Sequence, residues 1–135
     1  MIAADLNGKC ALVTGGASGI GLATVTMLAV MGARVAINHL ENDPAGPEKV
    51  AELSVRGLDV ISAPGNVSVP GNAETMVETA IGQMGGLDFL INNAGTPGTA
   101  DKILPSDLDK MTEEFWQLLL NTNLLGAFRC AHAAA

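Results

Sequence analysis

The chain has 135 residues, 48% of them hydrophobic, and carries a formal net charge of −7. This length and apolar content predict a folded domain with its own core rather than a disordered segment. The chain has only seven Lys and Arg residues, and they are scattered along it. It therefore lacks the clustered basic surface that nucleic acid requires, and an anionic membrane is an equally poor partner.

Two cysteines, Cys10 and Cys130, stand far apart and show no metal-ligand spacing. We therefore interpret them as free thiols that pack as small apolar side chains, and we expect no metal site. Asp5 and Asn7 interrupt the N-terminus, which does not resemble a signal peptide. The longest apolar stretch, residues 20–37, is broken by a glycine and an arginine. These features predict a cytoplasmic protein.

Apolar runs and helical periods alternate from the start of the chain. Residues 10–13 form a short apolar run, which is typical of a strand buried on both faces. A glycine-rich turn leads into a mostly apolar helix over about residues 19–31. A second buried strand is predicted at residues 35–37.

The next elements follow the same alternation. Asp43 and Pro44 predict the start of a second helix that runs to Val55, and residues 58–62 form a weaker third strand. The clearest helix of the chain comes next, because its apolar residues recur at the spacing of one helical face, opposite glutamates and threonines. That face comprises Ala73, Met76, Val77, Ala80, Ile81 and Met84.

Residues 87–91 are predicted as a fourth strand, and a last helical region starts near Thr112 and continues toward the end of the chain. This order predicts an α/β fold with a doubly wound, Rossmann-like parallel sheet and helices on both faces, in one domain over residues 1–135. The fourth strand would form an apolar, unpaired edge. We therefore expect a sheet truncated after about four strands, from a domain about twice this long.

The turn after the first strand has the sequence Thr-Gly-Gly-Ala-Ser-Gly-Ile-Gly over residues 14–21. Gly15 allows a sharp turn off the strand, Gly19 a close approach of the backbone to a ligand, and Gly21 tight packing of the helix. The amides of the first helical turn then face an anion, for which a pyrophosphate is well suited. A glycine-rich turn without a ligand is the alternative.

Three motifs resemble those of the short-chain dehydrogenases/reductases. They are Thr-Gly-x-x-x-Gly-Ile-Gly at residues 14–21, Asn-Asn-Ala-Gly at 92–95 and Asn-Leu-x-Gly-x-Phe at 123–128, in the order and spacing of the family's N-terminal half. The resemblance implies an oxidoreductase that moves a hydride between a nicotinamide cofactor and a small carbonyl or alcohol substrate. It also implies a homo-oligomer for the full-length form.

The resemblance further implies roles for individual residues. Ser18 and the backbone of Ile20 would hold the pyrophosphate, whereas Asn92 would bond to backbone within the sheet. The ribose and adenine side of the cleft would be lined by Asn93, Ala94 and Gly95.

The adenine and ribose positions depart from the family pattern. Asn66, followed by Val67, stands where the family usually has an acidic residue on the adenine amino group, and its amide oxygen can accept the same bond. His39 stands in place of the Asp that selects NAD, and no basic residue follows it. Glu41 and Asp43 slightly disfavour a phosphate. The cofactor is thus NADP or NAD, with a slight preference for NADP; a solvated strand-end histidine is the alternative role for His39.

Catalysis in this family uses a Tyr acid/base, a Lys that lowers its pKa, a Ser, and an Asn that supports a relay water. The chain contains no tyrosine, and only the Asn has a match, at Asn123. By periodicity Asn123 lies on an apolar helix face, where a buried amide bonded to backbone is the alternative, and Asn121 has similar surroundings. We expect no turnover by these residues alone. A nucleotide-binding module and a structural subunit remain open as other functions.

Overall fold

The structure is a computed structural model that describes residues 3–135. Within that range the strands are β1 Cys10–Val13, β2 Arg34–His39, β3 Val60–Pro64 and β4 Phe89–Ile91. The α-helices are α1 Gly19–Val30, α2 Ala45–Val55, α3 Asn72–Met84, α4 Glu113–Leu119 and α5 Gly126–Ala134. A 3₁₀ turn at Leu108–Lys110 precedes α4, and a π-helical turn at Leu120–Leu125 joins α4 to α5.

The strands form one parallel sheet in the order β3-β2-β1-β4. Ala11 of β1 stands opposite Val35 on one side and Phe89 on the other. Because parallel neighbours need long crossovers, helices connect successive strands. Among the described residues β4 pairs with β1 alone, and Phe89 is 40% exposed. The predicted Rossmann-like sheet, with its fourth strand on an edge, is confirmed.

Two apolar clusters cover the two faces of the sheet. Val13 packs with Val25 of α1 on one face, and Leu12 packs with Val77 of α3 and Cys130 of α5 on the other. This alternation follows from the two-residue period of a strand. Each fully buried side chain of valine or leucine size contributes about 1.5–3 kcal/mol. The predicted apolar face of α3 is confirmed, with Ala73, Met76, Val77, Ala80 and Met84 buried.

Some strand ends differ from the prediction. β2 extends to His39, because its pairing with β3 continues to Pro64. β4 begins at Phe89, two residues later than predicted, because the Asp88 carboxylate accepts a hydrogen bond from the Cys10 N–H at 2.8 Å. This bond lowers the pKa of Asp88 from its usual range. Asp88 therefore fixes the start of the β1–β4 pair.

The last predicted helix is interrupted. Thr112 caps α4, where its hydroxyl accepts a hydrogen bond from the Phe115 N–H at 3.2 Å. The π-helical turn then replaces i→i+4 bonding with i→i+5 bonding and changes the direction of the side chains that follow. Asn123 lies in this turn and is exposed. Its predicted place on a buried apolar face is therefore wrong, because a 3.6-residue period does not encode a change of hydrogen-bond register.

Both cysteines are free thiols, as the sequence predicts. Cys130 is completely buried, and this burial raises the pKa of its thiol to about 11. Within residues 3–135, no helix is both long enough and apolar enough to cross a bilayer. No three His, Cys, Asp or Glu side chains of that range form a group that could hold a metal ion.

Candidate functional site

A cleft of about 400 Å³ opens at the carboxyl ends of the strands. This is the position at which open parallel sheets bind their ligands. The cleft is lined by Gly15, Ala17, Ser18, Asn38, His39, Leu40, Asp43, Gly65, Asn66, Val67, Ser68, Ala94, Gly95, Thr96, Leu118 and Thr122.

Glycine is required at different positions of the loop between β1 and α1 for different structural reasons. Gly15 has φ +61° and Gly19 φ +53°, a backbone conformation that L side chains rarely adopt. A side chain at Gly21 would collide with the Gly15 carbonyl oxygen and the Asn93 amide nitrogen, so this glycine permits α1 to pack against the loop. At Gly19 an added Cβ would meet nothing within 4 Å. The backbone there borders open space.

The first turn of α1 presents unused amides at this loop. Its first helical hydrogen bond runs from the Leu22 N–H to the Ser18 carbonyl. Within residues 3–135, the N–H groups of Gly19, Ile20 and Gly21 donate no hydrogen bond, as expected of a helix start. The Ser18 side chain makes no capping bond, and Ser18 is exposed. This part of the loop can therefore donate several hydrogen bonds to an anion.

Thr14 and Asn93 tie the loop to the end of β4. The buried Thr14 hydroxyl oxygen accepts hydrogen bonds from the Asn93 N–H at 3.0 Å and the Ala94 N–H at 2.9 Å. The Asn93 side-chain amide in turn donates to the Thr14 and Gly15 carbonyls at 3.0 and 3.1 Å. Asn93 thus fixes the loop, and Ala94 and Gly95 extend from it along the cleft wall. Asn92 donates to the Ala127 carbonyl at 3.3 Å.

Asn38, which sequence reasoning did not select, holds three chain segments together. Its side-chain oxygen accepts from the Gly15 N–H at 3.1 Å, and its amide donates to the Ala63 and Gly65 carbonyls, both at 3.0 Å. Asn38 is only 3% exposed. A side-chain amide that directly follows the apolar run of residues 35–37 is a signal that could have identified it, because a buried amide requires partners.

His39 is buried, so its alternative role as a solvated strand-end residue is wrong. Its Nδ1 lies 2.8 Å from the Leu40 carbonyl oxygen and its Nε2 lies 2.5 Å from the Ser62 hydroxyl. The carbonyl requires Nδ1 to donate, so in the neutral ring Nε2 accepts from Ser62. Gly46 of α2 packs so closely on the imidazole that a Cβ there would overlap the ring. Both nitrogens are therefore used within the protein.

Asn66 and Val67 lie on the cleft wall beyond β3. The Asn66 side-chain oxygen accepts from the Ser68 N–H at 2.9 Å and from the Ser68 hydroxyl at 2.6 Å. The backbone N–H of Asn66 donates to the side chain of Asn72, the first residue of α3. These bonds fix the loop that follows β3, and they already use the oxygen that the sequence assigned to adenine.

Asn123 lies at the other end of the cleft, beside its wall. Its side-chain oxygen accepts from the Thr96 N–H at 2.8 Å, and its amide donates to the Thr96 carbonyl at 2.9 Å. Asn121 has a different environment, because its backbone and side-chain oxygens accept from the Arg129 guanidinium at 3.2 and 3.1 Å. The structure thus distinguishes two asparagines that periodicity does not.

The structure brings most, but not all, of the predicted residues to one cleft. The residues that line it are Gly15, Ser18, His39, Asn66, Val67, Ala94 and Gly95. The predicted residues that stand beside or behind it are Gly19, Ile20, Gly21, Asn93 and Asn123. The cleft is also lined by Thr96 and Thr122, which the sequence analysis did not select. Their hydroxyl groups, close in sequence to the Asn-Asn-Ala-Gly and Asn-Leu-x-Gly-x-Phe motifs, were the signal that could have identified them.

The parallel sheet, the glycine loop and the open helix start define a dinucleotide-binding domain of the Rossmann type. Residues 9–135 match the family model described as short chain dehydrogenase, and the chain belongs to this family. The resemblance drawn from the three motifs is therefore confirmed.

Individual relatives agree with this assignment. The chain is 34% identical to a 3-oxoacyl-[acyl-carrier-protein] reductase of Synechocystis sp. over 96% of its own length and 50% of that protein. It is 35% identical to an L-rhamnose-1-dehydrogenase of Scheffersomyces stipitis, over 96% of this chain and 49% of that one. The chain spans about half the length of these curated relatives.

Two solved structures show the same fold. One is a short-chain dehydrogenase from Burkholderia cenocepacia in complex with NADP, with a TM-score of 0.85 at 34% identity, covering 97% of this chain and 51% of that one. The other is a blue fluorescent protein from a metagenomic library in complex with NADPH, with a TM-score of 0.84 at 33% identity and the same coverage.

Proposed function

We propose that this chain holds the adenosine and diphosphate part of a nicotinamide dinucleotide, for an oxidoreductase that acts on a carbonyl or an alcohol. The start of α1 supports the proposal most strongly, because the N–H groups of Gly19 and Ile20 donate no hydrogen bond among the described residues and the backbone at Gly19 borders open space beside the cleft. A diphosphate fits these donors, since a helix N-terminus stabilises negative charge. When bound, the cofactor supplies or accepts a hydride.

Each side chain then has a role in binding. The Ser18 hydroxyl and the Ile20 N–H donate to the diphosphate, and the Ala94–Gly95 backbone borders the ribose. Asn66 and Val67 bound the adenine. When adenine binds, its amino group replaces the Ser68 hydroxyl as a donor to the Asn66 side-chain oxygen. The hydrogen bond from the Ser68 N–H to the same oxygen stays in place.

We propose that Asn123 positions a relay water for the reaction in the whole protein. Its bonds to Thr96 hold it beside Gly95, at the end of the cleft opposite His39. Deprotonation of an alcohol requires an acid/base of suitable pKa. The chain contains no tyrosine, and we propose that these 135 residues bind cofactor without turnover.

We propose NADP(H) as the preferred cofactor. No acidic side chain stands at position 39, and two structural relatives were solved with NADP or NADPH.

We also propose that the whole protein is a homo-oligomer, for which the exposed Trp116, Leu124 and Phe128 supply apolar contact area. Analytical ultracentrifugation of the whole protein tests the proposed oligomer, and a monomer at every concentration would contradict it.

Binding and turnover are tested on the chain separately. Titration with NADPH, followed by quenching of Trp116, the single tryptophan, should saturate at one site per chain. The same preparation should not consume NADPH in the presence of a panel of ketones and aldehydes. An absence of saturable binding would refute the binding role, whereas steady consumption would refute the proposed lack of turnover.

A further inference from the structure

The end of the cleft beside His39, where the family resemblance places the adenosine ribose, contains a single formal charge. Among the described residues that line the cleft, Asp43 alone has a side chain that is charged at neutral pH. It lies just before α2, four positions after His39. No lysine or arginine among the described residues lines the same cleft. A ligand group placed here therefore experiences one uncompensated carboxylate.

The two cleft residues nearest Asp43 in the chain have no free side-chain polar atom with which to bind a ribose. His39 uses both ring nitrogens on Leu40 and Ser62 and is covered by Gly46. Leu40 is apolar and half-exposed. Selection at this point of the cleft therefore falls on Asp43, the next residue along the chain that lines the cleft.

Asp43 has acceptor capacity left for a ligand. Its Oδ1 accepts from the Ala45 N–H at 3.0 Å, which satisfies an amide at the start of α2. Within residues 3–135, Oδ2 makes no hydrogen bond. A carboxylate oxygen accepts from a sugar hydroxyl, but it repels a phosphate that carries about two negative charges.

We propose that Asp43, rather than His39, discriminates between the two dinucleotides, by accepting from a ribose hydroxyl and opposing a 2′-phosphate. Its carboxylate then limits the preference for NADP(H) that the rest of the cleft allows. This inference rests on the proposed dinucleotide function. It goes beyond that function because it assigns the selection to a residue outside the strand end.

Two adenosine nucleotides isolate this contact, because they differ only in the 2′-phosphate: adenosine 5′-monophosphate and adenosine 2′,5′-bisphosphate. Asp43→Asn removes the charge but keeps a side chain that caps α2. We expect this variant to bind the bisphosphate about tenfold more tightly relative to the monophosphate, which corresponds to about 1.4 kcal/mol. Asp43→Ser, which also caps, serves as a second variant if the first does not fold.

Glu41→Gln is the matched control. Glu41 carries the same charge two residues away, is exposed, and does not line this cleft, so its replacement should change the ratio less than twofold. Equal ratios in the wild type and both Asp43 variants would overturn the inference while the binding function stands. An equal shift in Glu41→Gln would also overturn it, because net charge alone would explain the result. If neither nucleotide nor NADPH binds the wild type, the proposed function itself fails.

Discussion

The side-chain oxygen of Asn38 accepts a hydrogen bond from the Gly15 N–H at 3.1 Å, and the adjacent Gly16 N–H donates to the Asn38 carbonyl at 2.9 Å. The end of β2 therefore sets the path of the glycine loop as it leaves β1. The same side chain reaches the carbonyls of Ala63 and Gly65 after β3. One buried amide thus links the segments that we propose hold the diphosphate and the adenine.

Replacement of Asn38 by Ala should destabilise the protein and weaken cofactor binding together. It removes the three hydrogen bonds to the Gly15 N–H and to the carbonyls of Ala63 and Gly65, and each such bond contributes about 0.5–1.5 kcal/mol. We expect the free energy of unfolding, measured with urea, to fall by about 3 kcal/mol. Asn42→Ala, at an exposed asparagine of the following turn, is the control and should change it by less than 0.5 kcal/mol, about the usual limit for surface sites. Equal stability of the two variants would contradict the linking role.

Local pattern was sufficient to predict the alternating strands and helices and the structural reasons for Gly15 and Gly21, whereas the ligand contact at Gly19 stays a prediction. Gly15 and Gly21 needed only the rule that a chain turning sharply and packing closely excludes a Cβ. The burial of His39 could not be predicted from local pattern, because the residue that covers it, Gly46, lies on a helix whose packing depends on the whole sheet. The exposure of Asn123 could not be predicted for another reason. The π-helical turn changes the hydrogen-bond register of the backbone, and the spacing of apolar residues in the sequence does not show this change.

Alanine should destabilise the protein more at Gly21 of the loop than at Gly19. Gly21→Ala drives a methyl group into the Gly15 carbonyl and the Asn93 amide, so we expect a loss of about 2 kcal/mol in unfolding free energy. Gly19→Ala meets no atom within 4 Å and costs about 1 kcal/mol for its positive φ.

Cofactor affinity should distinguish Gly19 further. Its added methyl group would stand in the open space where we propose that the diphosphate binds, so we expect NADPH to bind at least tenfold more weakly at a temperature where the variant is fully folded. Calorimetric titration, with circular dichroism as the check of folding, measures this. Unchanged affinity in folded Gly19→Ala would place the diphosphate elsewhere.

Cys130 should make stability depend on alkaline pH. Burial raises the pKa of its thiol from 9.0 to about 11 in the folded chain. The folded state therefore holds this proton more tightly than the unfolded state, and the resulting stability is complete below pH 9 and lost as the pH rises toward 11. The chain has no tyrosine to titrate in the same window.

The contribution of Cys130 can be isolated by difference. Urea unfolding of the wild type and of Cys130→Ala at intervals from pH 8 to pH 11 should show a steeper decline for the wild type above pH 9. Cys10→Ala, at a partly buried thiol, is the control and should keep the wild-type slope. Parallel curves for the wild type and Cys130→Ala would show that the thiol keeps its ordinary pKa in the folded state.

Arg129 should stabilise the π-helical turn through its planar guanidinium rather than through its charge. Nη1 donates to the carbonyls of Val67 and Asn121 at 3.1 and 3.2 Å, and Nη2 donates to the Asn121 side-chain oxygen at 3.1 Å. The ammonium of a lysine cannot reproduce this fork. Arg129→Lys should therefore lower the unfolding free energy by about 1.5 kcal/mol or more, the scale of a hydrogen bond to a charged group.

The matched control for Arg129→Lys is Arg56→Lys, because Arg56 is exposed at the end of α2. Replacement of Arg56 should change the free energy of unfolding by less than about 0.5 kcal/mol, as at an ordinary surface site. Since Arg129 also holds the Val67 carbonyl, Arg129→Lys should accelerate amide hydrogen exchange both at the cleft loop of Ser68 and within the π-helical turn. If exchange accelerates in the turn alone, Arg129 supports the helix without coupling it to the cleft. If Arg129→Lys matches Arg56→Lys in stability, charge alone is sufficient at this position.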